Sequence, residues 1–174
     1  MPESCQTPWM HRRWSFDRPT ELYPVVLSRL RGMPARAEQA CRELDRAHAI
    51  AKQNGAWSIH QHLGHLIDLE ELFVVRLDAY EAGADTLPAA DMTNARSNTA
   101  DRDTQPMSEL LAGVRGARAA TLDRVSKYPR DFFGRSAWHD RLGIHKRVVD
   151  TCEFFADHDD HHLAKIEHRI AEMA

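Results

Sequence analysis

The sequence predicts an all-α protein, a four-helix bundle with at least one long crossover connection. Three observations lead there. Four stretches carry apolar residues at spacings of three and four, the period of a helix with one buried face. Apolar–polar alternation extends nowhere beyond four residues, so no strand is predicted. Long irregular segments separate the second, third and fourth stretches, and no internal repeat is present.

The first stretch runs from Thr20 to His48. Pro24 falls in its opening turn, where a missing N–H is tolerated. Gly32-Met33-Pro34 is expected to break or kink it, which leaves two shorter helices or one bent helix. Residues 1–19 read as an N-terminal extension to a domain spanning 20–174. Gln53-Asn54-Gly55 signals a turn, and Ser58 offers an N-cap for a second helix, Ile59 to Ala82. Ile59, His62, Leu66, Leu69, Phe73, Leu77 and Tyr80 form its inward stripe. Residues 83–106 turn polar, and connections of this length often border function. The third helix, Met107 to Lys127, buries Leu110, Leu111, Val114 and Leu122, with Pro106 in its first turn. Residues 128–144 are irregular, punctuated by Pro129, Gly134 and Gly143. The last helix, His145 to Glu172, turns Val148, Cys152, Phe155, Leu163, Ile166 and Ile170 inward.

Composition narrows the function classes. The chain has 174 residues, of which 43% are hydrophobic and 28% charged, as in a soluble globular domain. Its 26 acids nearly balance 23 bases, so it carries no general electrostatic footprint for nucleic acid or an anionic membrane. The bases are mostly arginines, scattered along the chain, and read as solvated faces. Cys5, Cys41 and Cys152 lie far apart and suit neither a disulfide framework nor a thiolate zinc site. Cys152 belongs to an inward stripe and reads as a structural thiol, not a nucleophile. No run of 18 apolar residues occurs and the N-terminus has no apolar signal core, so the expectation is a cytoplasmic protein. Trp57, Phe73, Trp138, Phe154 and Phe155 read mostly as core, with one or two left to wall a pocket. Nucleotide-binding glycine loops, a Gly-x-Ser-x-Gly elbow and Glu-x-x-His pairs are absent.

The chemistry lies in the histidines. There are eleven, and seven fall within residues 60–65 and 158–168. His158 and His162 stand four apart on the last helix, so both imidazoles project from one side, a spacing that lets two of them bind one metal ion. On a helical wheel His161 faces solvent, while Asp159 points into the apolar face. A carboxylate there needs a partner, and the second N–H of a ligating histidine would serve. On the second helix, His65 flanks the apolar stripe in the same relation, His62 sits nearer its centre and His60 faces out. Packing the two helices side by side sets His65 opposite His158 and His162. His62 remains either an alternative third ligand or a core histidine bonded across the bundle. Three neutral imidazoles with a fourth position open describe a catalytic metal site. His11, His48, His60, His145, His161 and His168 read as surface residues, and His139 as a neighbour of the site.

Trp57-Ser58-Ile59 followed by Leu63-Gly64-His65-Leu66-Ile67-Asp68 resembles the second-helix motif of the DinB-like family of four-helix-bundle metalloproteins. Leu142-Gly143 and then His158-Asp159-Asp160-His161-His162-Leu163-Ala164-Lys165-Ile166 resembles its C-terminal signature, and Asp91-Met92-Thr93-Asn94 is similar to a segment of one subgroup. The likeness covers roughly residues 20–172. It implies that His65, His158 and His162 are the metal ligands, that the ion is zinc or nickel, with iron or manganese as further options, and that the protein is a homodimer. It also implies a reaction class, because characterised members include thiol S-transferases and thiol-dependent isomerases using a low-molecular-weight thiol. Three readings follow. A thiol ionised on the metal would attack an electrophilic substrate, with Asp159 orienting one histidine and Asp68 or Glu70 holding another. A metal-activated water would instead hydrolyse a small substrate. Or the bundle is a metal-binding stress or interaction module without catalysis.

Overall fold

The computed structural model describes residues 9–52 and 55–173. Cys5 and two residues of the Gln53-Asn54-Gly55 turn lie outside the described residues. Gly55 itself takes a positive φ of 75°. The main helices are α1 (Tyr23–Ala40), α3 (Ile59–Glu81), α5 (Met107–Val125) and α6 (Val148–Met173), with short helices α2 (Arg46–Ile50) and α4 (Ala95–Thr99) between them. Helix α1 packs on α6 and α5, and α3 packs on the same two. Around the bundle the order is therefore α1, α5, α3, α6. The α1-to-α3 and α5-to-α6 connections cross a diagonal, whereas residues 82–106 join the neighbours α3 and α5.

Helix α3 begins where its sequence says it should. Ser58 accepts from the backbone N–H of Gln61 while the Gln61 side chain accepts from that of Ser58, a reciprocal capping box. Helix α1 runs unbroken through Pro34 and ends at Ala40, so Gly32-Met33-Pro34 does not split it into two helices. Proline leaves the Leu30 carbonyl without its helical donor. The Arg118 guanidinium fills that vacancy from α5, donating to the Leu30 oxygen at 3.3 Å. The break comes later, and Asp45 caps the separate α2.

The last irregular segment departs from expectation. Ser136–His139 (β1) and Ile144–Arg147 (β2) pair as an antiparallel hairpin, and α6 starts at Val148 rather than at His145. Gly143, at φ 63°, closes the turn by donating to the His139 carbonyl at 2.9 Å. The Asp85–Leu87 backbone joins β1 through Trp138, donating and accepting one bond each. Trp138 stands on the outer face of this hairpin, 37% exposed, and is not core. Four-residue strands are too short to show alternation.

Two apolar clusters fill the bundle. One gathers Leu30, Phe73, Leu77, Val149, Cys152 and Phe155; the other gathers Met33, Ile59, Leu63, Leu110, Leu163 and Ile166. Cys152 is fully buried, and burial pushes its thiol up to about 12, consistent with a structural role. Among the described residues no helix is long and apolar enough to cross a membrane.

Candidate metal centre

Helices α3 and α6 pack side by side, and their facing flanks bring His65, His158 and His162 together. All three imidazoles are buried, and one ring nitrogen from each lies within 4.8 Å of the others. The convergent atoms are of one kind. Nε2 of His158 is 3.3 Å from Nε2 of His65 and 3.2 Å from Nε2 of His162. Nitrogens held ~2.05 Å from one tetrahedral ion stand ~3.3 Å apart. Burial keeps the rings neutral and able to ligate. It pushes His65 down to about 4, and it holds His158 and His162 well below the ordinary value, with repulsion from neighbouring histidines, His65 among them, adding to it. The donor set and its spacing therefore fit a divalent ion with one or more positions open towards the pocket.

The other nitrogen of each ring is held differently. Nδ1 of His65 lies 2.9 Å from the Ser97 hydroxyl, which donates to Asp68 at 2.9 Å. Asp68 in turn accepts from Arg102 at 2.6 Å and faces Arg96 at 3.1 Å. Nδ1 of His162 meets Nδ1 of His62 at 2.8 Å. Nδ1 of His158 is buried without a partner. Such outer contacts fix ring orientation and tautomer at metal sites. Asp68 meets His65 only through Ser97, which no sequence motif marks out. His62 stands behind His162, outside the convergent trio. Gly64 makes room for the Asp68 contact, since a Cβ there would sit 2.7 Å from the Arg102 side chain.

Asp159 and Glu70 act elsewhere. Instead of an imidazole, Asp159 takes the Arg118 guanidinium in two bonds, 2.6 and 3.2 Å. Glu70 accepts from the other side of Arg118 at 2.5 Å and from the Thr121 hydroxyl at 2.6 Å, so it holds no histidine. Burial pushes the Asp159 carboxyl up to about 6 against the pull of Arg118. Arg118 is 2% exposed. This Glu70–Arg118–Asp159 layer joins three helices between the two apolar clusters. Its signal was present in the sequence: Leu110, Val114, Arg118, Thr121 and Val125 follow a helical stripe, so the arginine lies on the inward face of α5.

Segments outside the bundle wall the site. Trp57 lies against His65 and His62 with ring centres 4.8 and 5.5 Å apart. Trp9 lies against His158 and His161 at 4.9 and 5.5 Å. This N-terminal stretch and Arg12, 3.0 Å from Nδ1 of His161, bury His161, which the helical wheel placed in solvent. His60 is likewise buried, beneath the Arg102 carbonyl at 3.1 Å. Both corrections have one cause: periodicity describes faces turned to other helices, not faces covered by loops. Above the histidines opens a cavity of about 760 Å³, lined by both irregular segments, including Leu87, Met92, Ser97 and His139.

The solved structure of YfiT from Bacillus subtilis, described as a probable metal-dependent hydrolase with an unusual four-helix bundle topology, superposes with a TM-score of 0.80. The two share 18% identity over 93% of each chain, a likeness of fold. No curated protein matches the sequence. A family model for the DinB superfamily matches residues 29–166, which contain the three convergent histidines, all of α3 and most of α6. The chain belongs to the DinB superfamily.

Proposed function

We propose that His65, His158 and His162 hold a divalent metal ion, zinc first among the options, and that the protein uses it to transfer a small thiol to an electrophile in the cavity. The observation carrying this reading is the convergence of three neutral imidazoles on the wall of an open pocket, with Nε2 of His158 at 3.2–3.3 Å from Nε2 of each of the other two. When bound, the ion would lower the pKa of a thiol so that it ionises at neutral pH. Its proton leaves to solvent, and the sulfur pair forms the new S–C bond as the acceptor's leaving group departs or its double bond takes up a proton. Ser97 and His62 hold two of the rings in place. Asp68 is engaged by Arg96 and Arg102, and Glu70 and Asp159 by Arg118, so each of these carboxylates is committed to arginine, which favours a nucleophile needing no protein base.

Hydrolysis is the second reading, favoured by the likeness to YfiT and its description as a probable metal-dependent hydrolase. Elemental analysis of the purified protein beside a His158→Ala variant tests the metal; equal content in both sinks the site. Metal-loaded protein is then offered a panel of thiols with a chromogenic electrophile, and ester or amide probes without thiol. Turnover only with thiol supports transfer, and turnover without it supports hydrolysis. If neither occurs while chelation lowers Tm, the metal serves stability alone.

A further inference from the structure

Helix α3 carries a second polar group along the same cavity. Arg76 follows His65 by eleven residues, three turns of helix, which returns it to within ~20° of the same face and ~16 Å further along. Both line the cavity, with Leu69 and Leu72 between them. Arg76 is 1% exposed. Its Nε donates to the Pro88 carbonyl at 3.1 Å, and Nη2 meets Nε2 of His139 at 3.2 Å. Nη1 is buried without an acceptor. The two acids of α3 that line this cavity are engaged: Asp68 by Arg96 and Arg102, and Glu71 by Arg96.

The other deeply buried arginine, Arg118, has two carboxylates. Arg76 has neutral partners only. Burial pushes it down to about 10, so it keeps its charge at neutral pH. A buried cation without a counter-ion is costly unless an anion arrives from outside. We infer that the substrate carries a carboxylate bound by Arg76 and an apolar body lying over Leu69 and Leu72, with its reactive group at the histidine trio. Only that last clause rests on the proposed metal chemistry. With two of its nitrogens engaged, the guanidinium offers Nη1 to a single flat anion.

The test is calorimetric titration of octanoate, with 1-octanol as its uncharged counterpart, into full-length protein that has been chelated or zinc-loaded. Octanoate is expected to bind both forms, at least tenfold tighter than 1-octanol. Arg76→Met should weaken octanoate at least tenfold and leave 1-octanol unchanged, and Arg76→Lys should retain part of the preference. Should Arg76→Met fail to fold, Leu72→Glu sets a carboxylate one turn from Arg76 and should abolish octanoate binding without lowering Tm. Absence of binding to the chelated protein, equal affinity in Arg76→Met, or unchanged affinity in Leu72→Glu each overturns the inference. Binding only with zinc and its loss in His158→Ala would mean that the carboxylate ligates the metal instead. Metal content of the same samples reports separately on the proposed centre.

Discussion

Nδ1 of His162 lies 2.8 Å from Nδ1 of His62, so the outer nitrogen of one proposed ligand is held by another imidazole and not by a carboxylate. Outer contacts of this kind typically carry 10–100-fold in metal affinity. His62→Ala should therefore weaken metal binding by about that factor while leaving the helical content unchanged. Competition against a chromophoric chelator, beside a circular dichroism spectrum, measures both. Unchanged affinity would mean the contact has no part in orienting His162.

Gly64→Ala probes the chain of contacts behind His65. The added Cβ would meet Arg102 at 2.7 Å and displace it from Asp68, which holds Ser97 against His65. Overpacking of this type costs roughly 1–3 kcal/mol. The expected outcome is a lower Tm together with several-fold weaker metal binding. Ser97→Ala should reproduce the second effect without the first.

Arg118→Met removes the cation from between Glu70 and Asp159 and strands both carboxylates in the interior. Breaking a buried ionic cluster on one side costs ~3–5 kcal/mol, which for a chain of this size lowers Tm by roughly 10 °C. The Leu30 carbonyl also loses its donor. Replacing all three residues by apolar ones of similar volume should recover most of the loss. Thermal unfolding of the single and triple variants decides it.

The metal-free protein should weaken in mild acid. Burial pushes His62 down to about 3, and His65 and His161 down to about 4. Unfolding returns each to an ordinary value of ~6.5. Between ~6.5 and ~4 the unfolded chain therefore binds more protons, and stability present above that window falls as pH drops through it. Asp159, pushed up to about 6, works in the opposite sense, one carboxyl against several imidazoles. Tm of chelated protein measured from pH 8 to pH 4 should fall steadily below 6.5, and a flat profile would contradict the assignment. Metal should move the fall to lower pH.

The bundle and its histidine trio were readable because both depend on spacing within single helices. The capping box at Ser58 and the four-residue step from His158 to His162 need no long-range information. The partners of the acids were not readable, since Arg102 reaches Asp68 and Arg118 reaches Asp159 across 34 and 41 residues of sequence. Among nineteen arginines of ordinary appearance, only Arg118 gave itself away by its place on an apolar stripe. His60 and His161 misled for a related reason: a helical wheel carries no record of Trp9, Arg12 or the Arg102 carbonyl.

The two indoles beside the histidines come from outside the four long helices: Trp57 from the link before α3, and Trp9 from the chain's start. Ligands and enclosure thus belong to separate parts of the polypeptide. Helices α3 and α6 must keep their register for the nitrogens to converge, but the segments bearing Trp9 and Trp57 carry no such duty. Substitutions in them can reshape what enters while the convergent nitrogens stay in place. A fold divided in this way can acquire new substrates by exchanging its walls, which gives it room to diversify without rebuilding its centre.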